Sequence, residues 1–291
     1  MSHLPLVTGS NGRLGRALSD VIETEHAEEL AGAVFATRDE LDLNDEFRLQ
    51  FELERIQPTV VINCAAYAHV DGCETKRELA ERVNVEGARN LARAARAIEA
   101  RIIHISTDLV FDGALRRPYR EDDEPHPLSH YAVTKLAGEA AVTEENPDHV
   151  ILRSSWFFGP WPKDRYPEVF LGALQRGERL RMVSDRLGSP TYLRDLARAI
   201  TRLIASPYRG VLHFANAGEP TSRYHFIKEL AGRLSISSGG LSPLSDREWS
   251  EDLAVRPIFS ALDWSRYAEV TGHQPRSWME SLDEYLVERE S

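Results

Sequence analysis

Five short apolar runs punctuate the first half of the chain: LPLVT (residues 4–8), AVFAT (33–37), TVVIN (59–63), RIIHIS (101–106) and HVILR (149–153). Nearly continuous apolar runs of this length suit strands buried on both faces. Between them, residues from about 14, then 45–55, 78–98 and 130–144, carry helical spacing. Strands alternating with helices predict an α/β fold, and the right-handed crossover rule makes it a doubly wound, Rossmann-like parallel sheet.

After Arg153 the alternation loosens. WFFGPWPKDRYP (156–167) reads as a Pro- and aromatic-rich loop, followed by a helix over 168–176 and a strand over 180–183. TYLRDLARAITRLI (191–204) is an amphipathic helix and GVLHFAN (210–216) a strand. Ser222 is placed to cap a helix through RYHFIKELAGRL, residues 235–245 read as a Ser/Gly/Pro loop, and SWMESLDEYLVE (277–288) lies in a last helix. The expected division is a dinucleotide-binding domain over 1–155, with 190–216 returning to it. Residues 156–189 and 217–291 then form a smaller, partly helical C-terminal substrate lobe.

The 291 residues, 42% of them hydrophobic, suffice for a large core. No apolar run approaches the roughly 18 residues that would cross a bilayer. Met1-Ser2-His3 opens without the charged and apolar regions of a secretory signal, and a cytoplasmic setting is expected. Cys64 and Cys73 are too few for a disulfide framework and lack metal-ligand spacing, so no metal site is expected. A net charge of −11 argues against nucleic acid as a partner. Anionic ligands remain accessible through helix N-termini and placed arginines.

The first strand runs into LVTGSNGRLGRAL, where Gly9, Gly12 and Gly15 space a turn before a helix. Unpaired N–H groups at a helix start bind a diphosphate, and glycines let it approach the backbone. The spacing is G-x-x-G-x-x-G rather than the simplest dinucleotide fingerprint, but the βαβ length fits. The predicted cofactor loop is Gly9, Asn11, Gly12, Arg13, Leu14 and Gly15. The second strand ends Thr37-Arg38, with no acid on its tip, although Asp39 could turn in. With Arg13 nearby, Arg38 favours NADPH over NADH; solvated surface is the alternative for both arginines. Asp42, beside Leu43, either meets the adenine or begins the next turn.

SHYAVTKLAGE places Tyr131 and Lys135 four apart, on one helical face. An ammonium beside a phenol is expected to lower the phenol's pKa and ready it for proton transfer. The fourth strand ends in ISTDLVFDG, so Ser106, Thr107 and Asp108 emerge at the carboxyl edge of the sheet, where ligands bind.

Several further stretches join these: VINCAAYAHVDGCE, VNVEGARNLA, PYREDDEPHPLSHYAVTKLAGE, LRSSWFFG, SDRLGSPTYLRDLA and RPIFSALD. Together they run almost end to end and resemble the extended short-chain dehydrogenase/reductases, more narrowly the dTDP-4-dehydrorhamnose reductase family. The resemblance implies reduction of the C4 ketone of a nucleotide-linked deoxysugar. Thr107, Tyr131 and Lys135 would be catalytic, Tyr131 protonating the carbonyl oxygen and Lys135 also holding the nicotinamide ribose. Cys64, Ala65, Ala66 and Tyr67, after Asn63, would line the cofactor. Asp108 and Trp156 would face the substrate, with loop-to-core packing the alternative for Trp156. Arg256 would meet the diphosphate, unless it is a surface arginine before a proline. The family includes monomers and homodimers, some with Mg²⁺ between chains, and no local signature chooses among them.

Leu109 departs from the family, which usually carries an aromatic there; a leucine cannot hydrogen-bond sugar hydroxyls. The competing functions are a dehydratase or epimerase of the same superfamily and a non-catalytic cofactor-binding subunit, as in the beta subunit of methionine adenosyltransferase. Dehydratases tend to carry an Asp-Glu pair where this chain has Asp108-Leu109. Retention of Thr107, Tyr131 and Lys135 counts against the regulatory subunit.

Overall fold

The computed structural model describes residues 3–160 and 166–289. Residues 161–165 of the anticipated aromatic loop lie outside the described residues. In chain order the elements are β1 (Pro5–Thr8), α1 (Arg13–Glu25), β2 (Val34–Ala36), α2 (Glu46–Ile56), β3 (Val60–Asn63), α3 (Val70–Thr75), α4 (Arg77–Glu81), α5 (Gly87–Ala97) and β4 (Arg101–Thr107). They continue with α6 (His130–Glu145), β5 (His149–Ser154), β6 (Phe157–Phe158), α7 (Glu168–Gln175), β7 (Leu180–Val183), β8 (Thr191–Tyr192), α8 (Leu193–Ile204) and β9 (Gly210–Phe214). The last are α9 (Arg223–Arg233), β10 (Leu241–Leu244), α10 (Ser265–Thr271) and α11 (Trp278–Arg289).

Six strands form one parallel sheet in the order β2-β1-β3-β4-β5-β9. The order reverses between β1 and β3, and a ligand crevice belongs at that switch point. Neighbouring strand residues point to opposite faces. Val7, Ile62, Ile103 and Leu152 pack under α1 and α8, while Leu6, Val61, Ile102 and Ile151 pack under α2, α5 and α6. Both faces are therefore dry, which is why the strands are apolar throughout. Truncating one such residue, for example Leu152→Ala, costs about 2–5 kcal/mol. The apolar stripe of α8 (Leu193, Leu196, Ala197, Ile200, Leu203, Ile204) follows helical spacing and is fully covered.

A second core unites Phe158, Tyr192, Phe226, Trp278 and Tyr285. The two-stranded pairs β10–β7 and β6–β8 lie in this lobe. Two expectations change here. Residues 235–245 are not all loop, because Leu241–Leu244 pairs with β7 and buries both leucines. The interval 217–291 is also not uniform, because Tyr267 of α10 is buried in the sheet's core and stacks edge-on against Phe214.

The anticipated single helix over 78–98 is interrupted by a π-helical turn, Arg82–Glu86. Helix α6 presses so closely there that a β-carbon on Gly138 would lie 2.3 Å from the Asn84 carbonyl oxygen. The wider turn places the Asn84 amide to accept from the Tyr67 backbone N–H at 2.8 Å and to donate to the Thr134 hydroxyl at 3.0 Å. A local π-turn thus ties the loop after β3 to the helix carrying Tyr131.

Candidate active site

At the switch point Gly9 has φ +66°, and a β-carbon on it would stand 2.8 Å from the Ala65 backbone. Only glycine lets the ends of β1 and β3 approach this closely. Gly15 is equally constrained, since a β-carbon would lie 2.5 Å from the Cα of Ser10. The Ser10 N–H donates to the Ala36 carbonyl, tying the turn to β2. Asn11 and Gly12 are exposed at the tip, directly before α1. A cradle that a β-carbon would fill, at a helix start, fits a dinucleotide diphosphate. Of the predicted lining, Cys64, Ala65 and Tyr67 are half-buried and Ala66 is exposed. Burial pushes the Cys64 thiol up to about 12, so it stays protonated.

The side chains of several predicted cofactor residues make contacts within the protein. The Leu14 side chain is buried in the core beneath α1, and Leu43 is buried in the opposite core, where a β-carbon on Gly87 would meet it at 3.1 Å. Helix period and burial explain both side chains, while the Leu14 backbone lies in the first turn of α1. Asp42 begins the next turn: its carboxylate accepts from the Asn44 backbone and side-chain amides at 3.0 and 2.8 Å, and these bonds hold its pKa down. The Arg13 guanidinium donates to the Tyr166 carbonyl at 3.3 Å, across to the second lobe, so it does not reinforce Arg38. Arg38 is 65% exposed and 3.9 Å from Asp42. An acid does stand at the tip of β2, because Glu40 folds back to accept from the Thr37 N–H and hydroxyl, each at 2.8 Å.

Helix α6 starts at a Ser129 cap, whose oxygen accepts from the Ala132 N–H. This start fixes Tyr131 in the first turn and Lys135 one turn on. The Thr107 side chain is near enough to the Tyr131 phenol to lower its pKa, against the larger effect of burial. Thr107 lies at the carboxyl end of β4 and also donates to Asp108 at 3.1 Å. Asp108 in turn accepts from Ser260 at 2.5 Å. Burial raises the Asp108 pKa to about 6, opposed by these bonds.

The expectation for the Tyr131 pKa reverses. Burial, with the Asp108 charge adding to it, pushes the phenol up rather than down. Lys135 provides no relief because it is directed under the sheet edge: its Nζ donates to the Ile105 carbonyl at 2.7 Å and lies 3.3 Å from His104 Nε2. Burial lowers the Lys135 pKa to about 8. His104 lies in a directed chain. The Ala65 N–H donates to Asn63 Oδ1 at 3.2 Å and the Thr8 hydroxyl does so at 2.9 Å, which fixes the Asn63 amide. Its NH₂ faces His104 Nδ1 at 3.0 Å, and the other ring nitrogen faces Lys135. Ser106 points away from the site into a buried pair, donating to Glu139, which Arg153 grips with two bonds of 2.9 and 2.7 Å.

Across the opening, Trp156 has φ +43°, a region an aromatic residue rarely adopts. Its ring lies 6.0 Å from that of Tyr166 and 5.7 Å from that of Phe226. A β-carbon on Gly188 would touch both Trp156, at 3.6 Å, and the Ser260 hydroxyl, at 3.3 Å. Trp156, Gly188, Ser260, Asp108, Thr107 and Tyr131 thus form one continuous wall. Arg256 does not join it: its guanidinium grips Asp71 with bonds of 3.1 and 2.7 Å and pairs with Asp252 at 2.9 Å. Two bound carboxylates leave it no charge to offer a diphosphate.

Sequence reasoning passed over Ser260, His104, Asn84 and Arg223. Ser260 and His104 lay inside motifs that carried the resemblance. Arg223 follows the Ser222 cap, where helical pattern alone reads it as solvated. A surface hollow lined by Thr221, His225, Lys228, Glu229, Trp278 and Met279 holds none of the reacting groups. No group of three or more His, Cys, Asp or Glu that could hold a metal occurs among the described residues, and no described helix is long and apolar enough to cross a membrane.

The family model described as the RmlD substrate binding domain matches residues 4–291. The chain is 37% identical to a dTDP-4-dehydrorhamnose reductase of Mycobacterium tuberculosis, over 95% of this chain and 90% of that one. It is 35% identical to a dTDP-4-keto-6-deoxy-D-glucose reductase of Streptomyces niveus, over 95% and 94%. The crystal structure of a Bacillus anthracis dTDP-4-dehydrorhamnose reductase in complex with NADP superposes with a TM-score of 0.92 at 32% identity, covering 99% of this chain and 100% of that one. The chain belongs to the dTDP-4-dehydrorhamnose reductase family and is a nicotinamide-dependent oxidoreductase of sugar ketones.

Proposed function

We propose that the chain reduces the C4 ketone of a nucleotide-linked deoxysugar, first of all dTDP-4-dehydro-L-rhamnose to dTDP-L-rhamnose, with NADPH as the reductant. The observation that carries this reading is the Tyr131 phenol, beside Thr107 at the carboxyl edge of β4 in a sheet whose switch point carries the glycine cradle. When bound, the nicotinamide supplies hydride to the carbonyl carbon. As that carbon accepts it, negative charge develops on the ketone oxygen. Tyr131, kept protonated by its raised pKa, donates a hydrogen bond and then its proton to that oxygen. Thr107 orients the phenol. Lys135, charged below a pKa of about 8, holds the ribose hydroxyls. Asn11, Gly12 and the backbone at the start of α1 hold the diphosphate. Arg38 supports NADPH over NADH at the adenosine ribose.

Leu109 favours a second reading within the same chemistry, a different 4-keto sugar, because it removes a polar contact from the sugar's side. Purified protein should oxidise NADPH in the presence of dTDP-4-dehydro-L-rhamnose and yield the 4-hydroxy product, and the same assay over other 4-keto nucleotide sugars identifies the preferred one. Failure with every such ketone would leave the epimerase or the non-catalytic subunit. A tightly retained nicotinamide marks the epimerase.

A further inference from the structure

Among the described arginines of the substrate side, Arg256 and Arg186 are held by acids and Arg223 is not. Arg256 is held by Asp71 and Asp252, and Arg186 by Asp246 and Asp252. Arg223 has no carboxylate within ion-pair distance among the described residues. Its guanidinium carbon lies instead 4.8 Å from the ring centre of Tyr166 and 5.4 Å from that of Trp156.

The Arg223 side chain is exposed to solvent. Desolvation opposes its charge, Tyr166 favours it, Arg256 opposes it, and the Asp252 and Asp108 carboxylates favour it from beyond ion-pair distance. Aromatic faces contribute modestly to holding a cation and do not neutralise it. They do hold the guanidinium plane and leave its N–H edge free. A fixed planar fork with free edges matches two oxygens of a phosphate.

We propose that Arg223 is the oxyanion clamp of the substrate side, binding the phosphoryl oxygens of a nucleoside diphosphate sugar. The proposal rests on the nucleotide-sugar reading above and assigns its diphosphate to a residue of the second lobe. Ser222 caps α9 and fixes where Arg223 projects, and the strained Trp156 backbone supplies one of its two supporting rings. The wall from Trp156 through Gly188 and Ser260 to Asp108 then leads from the clamp to Tyr131. A substrate held by its phosphates at one end presents its sugar carbonyl at the other.

The test is calorimetric titration of the NADP⁺-loaded protein with thymidine, dTMP and dTDP, and with uridine, UMP and UDP in parallel. Wild type should prefer the diphosphates to the nucleosides. Arg223→Gln should weaken dTDP or UDP binding about 10–100-fold, the size expected for charge-assisted bonds, and leave the nucleoside within about twofold. Arg223→Lys should recover part of the loss. Unchanged NADP⁺ affinity shows that the variants are folded. Equal losses for nucleoside and diphosphate would reduce Arg223 to a packing role and overturn the proposal. So would unchanged diphosphate binding in Arg223→Gln when the wild type binds the diphosphate. If the wild type binds none of these nucleotides and oxidises no NADPH with any 4-keto nucleotide sugar, the functional reading falls with it.

Discussion

On the sheet side of the cleft, Thr107, Tyr131 and Lys135 hang from β4 and α6, and buried partners fix them in place: Asp108, Ile105, His104 and, through His104, Asn63. On the opposite side, Trp156, Tyr166 and Arg223 belong to a lobe of aromatic contacts and ion-pair networks, and Arg223 lies over ring faces with no carboxylate in ion-pair distance among the described residues. One side is rigid because every hydrogen bond is made within the protein. The other keeps a cation without an acid, which leaves energy for a ligand to recover. The contrast separates bond-making from recognition.

The largest expected effect tests the rigid side. Tyr131→Phe should lower kcat by about 10²–10⁴-fold, the range for one positioned proton donor, with NADP⁺ affinity unchanged. Stopped-flow NADPH oxidation reads it, and full turnover in that variant would remove the phenol from the mechanism. Next comes pH. The Lys135 pKa is lowered from its ordinary value to about 8, so its charge is present below that pH and lost above it. The reduction rate should fall about tenfold per pH unit beyond that point. A flat profile to pH 9.5 would show that the ammonium is dispensable.

Asp108 joins the two sides, and its burial has a thermodynamic cost. A carboxyl whose pKa rises from 3.8 to about 6 on folding binds more protons in the native state than in the unfolded one between those values, so stability falls as pH rises through that window. Asp108→Asn should therefore gain on the order of 2 kcal/mol in urea unfolding at pH 7 while losing activity, and the gain should shrink toward pH 4. A pH-independent difference would contradict this origin.

Two arginines sharpen the recognition side. Arg256→Ala should cost stability, about 1 kcal/mol for a partly exposed network, and leave diphosphate affinity within about twofold, unlike Arg223→Gln. Matching losses of affinity would return Arg256 to the substrate. The smallest effect is expected at Arg38, because it is exposed and screened. Arg38→Ala should weaken NADPH by a few-fold, about the worth of a surface charge pair, and NADH less. Equal weakening would leave Glu40, bound at the Thr37 tip, as the dominant charge at that corner.

Periodicity made most of the fold legible. The apolar runs at 59–63 and 101–106 read as strands because both of their faces are dry, and the spacing in α8 read as a helix because one of its faces is. Short elements escaped. Helix α3, six residues, is set by the His69 ring accepting from the Gly72 N–H, and β10 exists only because β7 lies beside it. The π-turn at Arg82–Glu86 gave no local signal, since its cause is the close approach of Gly138 from another helix.

The chain by itself determined the alternation of strands and helices, the glycines that close the turn after β1, and the one-turn spacing of Tyr131 and Lys135. Each depends on neighbours along the chain, through backbone conformation and helical repeat. Only the tertiary structure decided which charges remain available. It committed Arg256 to Asp71, turned Arg13 toward Tyr166, raised rather than lowered the Tyr131 pKa, and left Arg223 facing the cleft. Charge pairing and desolvation depend on what folding brings close in space, and nothing in the spacing of residues encodes that distance.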